Sequence, residues 1–193
     1  MTRGGLERLA RALRSHQADM GAEEKHRQLI LEFIGRYEHP FDRSIAEGHL
    51  TGSALVVEAT GGRVLLGYHR KLGRWLQFGG HGEPGDEDAF EVALREATEE
   101  SGIDGLALYP SAPAPLDVDV HEIPARKGEP AHLHLDIRYL LVAPADAPSP
   151  CGRPEEHTEI AWFSWEQAMA LEGLDDSLRR LLEKARATVQ RRG

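Results

Sequence analysis

Residues 79–103 read "GGHGEPGDEDAFEVALREATEESGI", a glycine-rich acidic loop running into a helical pattern. From about residue 87 to 101, Phe90, Ala93, Leu94 and Ala97 recur at helical spacing, which predicts a helix with one buried apolar face and its acids outside. Gly102 is a natural stop for it. Glu96, Glu99 and Glu100 occupy the last turns at i, i+3 and i+4. Side chains so spaced share one face, where like charges repel, and the helix C-terminus is the negative end of its dipole. Each fault costs about 0.3–1 kcal/mol. Charge patterning alone reads the acids as a solvated face braced by Glu91–Arg95 and Arg95–Glu99 pairs. A hard divalent cation supplies a second reason for them, since Mg²⁺ takes one or two carboxylates together with substrate phosphates and water.

The remaining chain bounds the possibilities. Its 193 residues suit one domain with appendages. A formal charge of −9 argues against a general nucleic-acid binder, though not against a nucleotide substrate held through a cation. The single cysteine, Cys151, cannot form an intramolecular disulfide and fits a reducing compartment. No apolar run approaches the length of a membrane span, and "MTRGGLERLARALRSHQ" has no signal-peptide core. The expectation is a cytoplasmic protein with no nucleic-acid or membrane partner.

Helical spacing of Leu6, Leu9, Ala10 and Leu13, then of Leu29, Ile30, Phe33 and Ile34, predicts two helices before Pro40. Strands are predicted at 54–59, 63–69, 75–78, 106–109, 116–123 and 132–143. "EIAWFSW" reads as a strand running into a C-terminal helix pair, roughly 165–172 and 176–190. This order is α+β, or an α/β sandwich. The division expected is a helical extension over 1–47 and a catalytic domain over 48–193.

Residues 79–103 resemble the box of the Nudix hydrolases, G-x5-E-x7-R-E-U-x-E-E-x-G-U with U a bulky aliphatic. Arg95, Glu96, Glu99, Glu100, Gly102 and Ile103 match, with Ala97 a small occupant of a U position. Glu87 keeps the gap to Arg95, whereas Asp86 keeps the gap from Gly80, so the loop reads as carrying a one-residue insertion. The resemblance implies an α/β/α sandwich around a mixed sheet. It implies hydrolysis of a diphosphate bond in a nucleoside diphosphate-linked small molecule, with Mg²⁺ or Mn²⁺. Carried over by position, Glu96, Glu99, Glu100 and the Gly80 carbonyl would be metal ligands, and Arg95 would hold a box glutamate in place. Glu159 is a further candidate base. The alternatives are a non-catalytic ligand-binding module of this fold and an isopentenyl-diphosphate isomerase-like enzyme, which would need a cysteine near the box.

A second constellation lies in "DVDVH" and "HLHLD". Period two puts Asp117, Asp119 and His121 on one strand face, and His132, His134 and Asp136 on another. A hairpin through 124–129 would set Asp117 opposite Asp136, Asp119 opposite His134, and His121 opposite His132. Such a face could be an ordinary polar surface, a cleft wall contacting substrate, or a transition-metal site. His81 in the box loop, with His134 and Asp136, is a candidate substrate contact. Tyr68, Trp75, Trp162, Phe163 and Trp165 read as core before base-stacking platforms. The apolar faces of the N-terminal helices must bury on the sandwich or across a dimer, and a homodimer is expected.

Overall fold

The computed structural model describes residues 3–19, 21–84, 86, 88–110, 112–126, 128–151 and 157–191. Helices α1 (Arg3–Ser15) and α2 (Ala22–Arg36) precede β1 (Gly48–Val57), β2 (Arg63–His69), β3 (Arg74–Leu76) and β4 (Phe78–His81). After them come α3 (Ala89–Ser101), β5 (Ala107–Leu108), β6 (Asp117–Ile123) and β7 (His132–Val142). The chain continues through β8 (His157–Ser164), α4 (Trp165–Met169) and α5 (Asp176–Gln190).

One mixed sheet organises these elements. β1 and β7 are both long and apolar, and they pair in parallel from Gly48 opposite Leu133 to Val57 opposite Val142. β1 also pairs antiparallel with β2 near its end and with β4 along Thr51–Ala54. β7 carries β6 and β5 antiparallel, while β2 carries β3 and β8. One face packs Leu50, Ala54, Val56, Leu135 and Ile137 against Ala89, Ala93 and Ala97 of α3. The opposite face packs Leu55, Val57 and Leu140 against Leu178, Leu181 and Leu182 of α5. The result is the expected α/β/α sandwich.

Three strand expectations shift. β1 begins at Gly48, six residues before the predicted start, because backbone pairing with β7 continues through polar His49, Thr51 and Ser53. "WLQF" splits at Gln77, with β3 joining β2 and β4 joining β1. The β6–β7 hairpin closes two residues later than expected. Asp117 therefore faces Arg138, Asp119 faces Asp136, and His121 faces His134. A two-residue slip preserves the faces but gives Asp117 a cationic partner in place of a repelling carboxylate.

The N-terminal helices bury their apolar side chains within the same chain. Leu9, Leu13, Ile30 and Phe33 belong to the core under α3. Glu23 of α2 is buried as well, accepting from the Asp19 N–H at 2.7 Å and paired with His16 and Lys184. Lys184 lies on α5, so this carboxylate ties α2 to the C-terminal layer. The face expected to contribute to a dimer is thus covered in cis, with Leu29 left exposed on α2.

Candidate active site

α3 is capped at both ends by its own sequence. Asp88 Oδ1 accepts from the N–H groups of Phe90 and Glu91 at 3.0 and 3.2 Å. Gly102 closes the helix in the left-handed region at φ 69°, where a side chain would be strained. These caps fix which residues of the last two turns face β4. Gly52 lets the helix backbone approach the sheet, since a Cβ there would collide with the Ala89 carbonyl and the Ala93 nitrogen.

A cleft of about 360 Å³ opens beside β4, and its lining includes Gly79, Gly80, His81, Glu96, Glu100, His134 and Asp136. Gly80 has no room for a side chain because a Cβ would overlap the Glu96 carboxylate. Glu100 is only 3% exposed, contrary to the expectation that all the helix acids lie outside. Two features explain its burial. Its Oε2 accepts from the Gly79 N–H at 3.0 Å, and Nε2 of buried His157 lies 3.5 Å away. Gly67 makes space for the His157 ring, which a Cβ on β2 would strike.

Arg95 and Glu99 do not line the cleft. Arg95 grips the loop instead, donating from Nη2 to the His81 carbonyl at 2.8 Å and forking onto Asp86 at 3.0 and 3.3 Å. Its Nη1 also lies 3.1 Å from Glu96 and 3.6 Å from Glu99. Burial alone would raise the Asp86 pKa, but the Arg95 hydrogen bonds and the Glu83 N–H outweigh it and hold it below the usual value. Asp86, at the box spacing from Gly80, is therefore the anchor for Arg95. Glu87 lies outside the described residues.

Behind Asp136 lies a buried ion network. Asp136 accepts from Thr51 and Ser53 hydroxyls at 3.0 and 2.7 Å and from Arg138 at 2.9 Å. Its oxygens are thus occupied, and it braces the wall more than it offers itself to a ligand. Asp117 receives Arg180 at 2.7 and 3.0 Å, with Arg138 at 3.4 Å. Asp119 lies between Arg138 and Arg180, with His26 at 3.2 Å and His121 at 3.5 Å. Burial pushes the Asp119 pKa up, but the His121 hydrogen bond and the Arg charges overcome this and hold it far below the carboxylate range.

Histidines cover the outer end of that wall. His81 Nε2 lies 3.3 Å from His134 Nε2, and the His49 ring stands 4.9–5.2 Å from His81, His132 and His134. Burial, then the neighbouring His81, lowers His49 to about 4 and His134 to about 2, so both rings are neutral near pH 7. His49, His157, Arg138 and Arg180 were not among the expected site residues. For His49 a signal existed, the alternation His49-Thr51-Ser53; His157 and the two arginines carry none, because only tertiary packing brings His157 to the cleft and the arginines to the acids behind it.

Other expectations fall away from the cleft. Glu159 is exposed on β8 and is not among its lining residues. Trp75 and Phe163 pack edge to face in the α5 core, and Trp165 donates to the Gly61 carbonyl at 2.9 Å. Trp162 lies at the edge of the α3 core, and Tyr68 donates to the Gly73 carbonyl at 2.7 Å. Cys151 sits at the C-terminal end of α3, its N–H donating to the Ser101 carbonyl at 3.1 Å. It lies beside the box helix in space but is not among the residues lining the cleft. Among the described residues no helix is long and apolar enough to cross a membrane.

The family model described as the NUDIX domain matches residues 48–185. A NUDIX-family hydrolase from Clostridium perfringens aligns at 22% identity with a TM-score of 0.55, over 73% of this chain and 97% of that one. The E. coli dihydroneopterin triphosphate pyrophosphohydrolase aligns at 20% identity and 0.52, over 70% and 92%. An Ap4A hydrolase from C. elegans, in a binary complex, aligns at 19% and 0.50, over 73% and 97%. A search of curated proteins finds no match. At these identities the structural likeness is one of fold.

Proposed function

This chain belongs to the Nudix family, and on that premise we propose that it is a metal-dependent hydrolase cleaving a diphosphate bond in a nucleoside diphosphate-linked small molecule. The observation that carries the reading is the presence of Glu96 and Glu100 with Gly79 and Gly80 in the lining of one cleft. Hard carboxylate oxygens suit Mg²⁺ or Mn²⁺, and the side-chain-free position at Gly80 keeps backbone beside Glu96. The residues fit the ion. Glu96 and Glu100 would hold it, with the Gly80 carbonyl as a further ligand; Glu99, beside Arg95 and outside the cleft lining, would join them only by turning toward it. Bound there, a divalent cation offsets pyrophosphate charge and acidifies a coordinated water.

The remaining work belongs to side chains. Arg95, fixed by Asp86, holds Glu96 in place and the His81 carbonyl against the helix. The Gly79 N–H aims the Glu100 carboxylate, with His157 behind it. His81 and His134 form the wall against which substrate would rest, braced by Asp136. The relatives named above include proteins described as acting on a pterin triphosphate and on Ap4A, and both are phosphoanhydrides. A panel of nucleotides, nucleotide sugars and dinucleotides with Mg²⁺ or Mn²⁺, read by product identification, tests the reading. Cleavage at a phosphoanhydride that disappears in Glu100→Gln is the expected result. No hydrolysis of any diphosphate by folded, metal-loaded protein would overturn it.

A further inference from the structure

His49, His132 and His134 form a ligand set that the carboxylates of α3 do not use. His49 on β1 is in register with His134 on β7, and His132 stands two residues earlier on the same face of β7. One nitrogen from each of the three rings lies within 4.8 Å of the other two. His49 is 2% exposed, and among the described residues neither of its nitrogens has a hydrogen-bond partner. Leaving a buried polar group unsatisfied costs about 1–3 kcal/mol, which an apolar ring in that position would avoid. Packing alone therefore gives no reason for histidine there, whereas a ligand between the rings would.

We propose that His49, His132 and His134 bind a transition-metal dication of the zinc class, separate from the hard-ion site at Glu96 and Glu100. Imidazole nitrogen suits zinc, nickel and copper, while carboxylate, carbonyl and water suit magnesium and manganese. The two sites would thus sort two kinds of ion within one fold. A zinc–nitrogen bond of about 2.0–2.1 Å sets tetrahedral ligand nitrogens about 3.4 Å apart, so the rings close inward by about 1.4 Å at most. His132 is half-buried, and its Nδ1 lies 3.0 Å from the Pro130 carbonyl. Three protein nitrogens leave a coordination position open. His134 also lines the cleft, so the ion stands in its wall, and His81 is the next nitrogen, 3.3 Å from His134.

The test is equilibrium dialysis of full-length, chelator-stripped protein against Zn²⁺ in excess Mg²⁺, with metal analysis. Co²⁺ serves as a second probe, read by the visible absorption of a nitrogen-rich low-coordinate site. Wild type is expected to hold about one zinc per chain, and the Glu96→Gln/Glu100→Gln double variant to keep it. His49→Asn and His132→Gln should each weaken binding about tenfold or more. The half-buried His132 keeps the test valid if the buried His49 variant fails to fold. Zinc held equally by the His132 variant, lost in the glutamate variant, or never taken up by wild type would overturn the proposal.

Discussion

Arg95 closes the acidic loop onto the helix that follows it, with its guanidinium 3.0 and 3.3 Å from the two oxygens of Asp86. The same side chain reaches the His81 carbonyl and Glu96, so the loop, a β4 residue and one candidate metal ligand share a single cation. Removing the anchor should loosen all three. Asp86→Ala is expected to cost about 1.5–3 kcal/mol of stability, the range for a hydrogen bond to a charged group. Turnover should fall about tenfold, or about 1.4 kcal/mol in the barrier. Thermal melts and steady-state rates check this, and unchanged values for both would show that Asp86 anchors nothing.

Gly80 and Gly79 should respond to alanine in opposite ways. At Gly80 the new methyl meets the end of the Glu96 side chain, which can swing aside. Gly80→Ala should keep its melting temperature within about 4 °C of wild type, the shift that about 1 kcal/mol gives in a chain this size. Its turnover should nevertheless drop about a hundredfold, because Glu96 has moved. At Gly79 the methyl meets the backbone of Gly52 and Ser53, so that variant should lose stability first. A Gly80→Ala protein with wild-type turnover would remove Glu96 from the reaction.

Glu99 and Glu100 separate metal binding from stability. Arg95 lies close enough to Glu99 to offset part of the repulsion expected at the helix end. Glu99→Gln in chelator should therefore lie within about 0.5 kcal/mol of wild type. Glu100→Gln keeps an oxygen for the Gly79 N–H, and its turnover should fall about a hundredfold, near 2.7 kcal/mol. Mg²⁺ should raise the melting temperature of wild type more than that of Glu100→Gln, since a ligand of the folded state stabilises it. Equal shifts would mean the ion binds elsewhere.

Glu23 should give the protein part of its acid sensitivity. Burial alone would raise its pKa, but hydrogen bonds from His16, Lys184 and the Asp19 N–H lower it from 4.5 to about 2. Because the folded value is the lower one, its contribution is present above pH 4.5 and is lost as pH falls toward 2. Glu23→Gln should cost about 3 kcal/mol near neutrality, as breaking a buried ion pair does. It should also flatten the stability profile across that acidic window. Denaturant titrations at several pH values would show it, and parallel profiles for the two proteins would contradict it.

Local physics determined much of this protein from sequence. Helical spacing around Ala93 and Ala97 and the stop at Gly102 located α3 and placed the box glutamates on it, because side chains a few residues apart must share a face. Period two likewise put Asp117, Asp119 and His121 on one side of β6. Only the tertiary structure decided which residues meet across the sheet. The β6–β7 register depended on a loop whose length periodicity does not specify, and Arg138 opposite Asp117 is its consequence. Burial of Glu100 depends on the Gly79 N–H, 21 residues away, and on a histidine that β8 delivers. His49 joins His134 because β1 runs parallel to β7 over ten residues. Spacing along the chain fixes neighbours on one element, whereas contacts between elements follow from hydrogen-bond register and close packing, which no single stretch encodes.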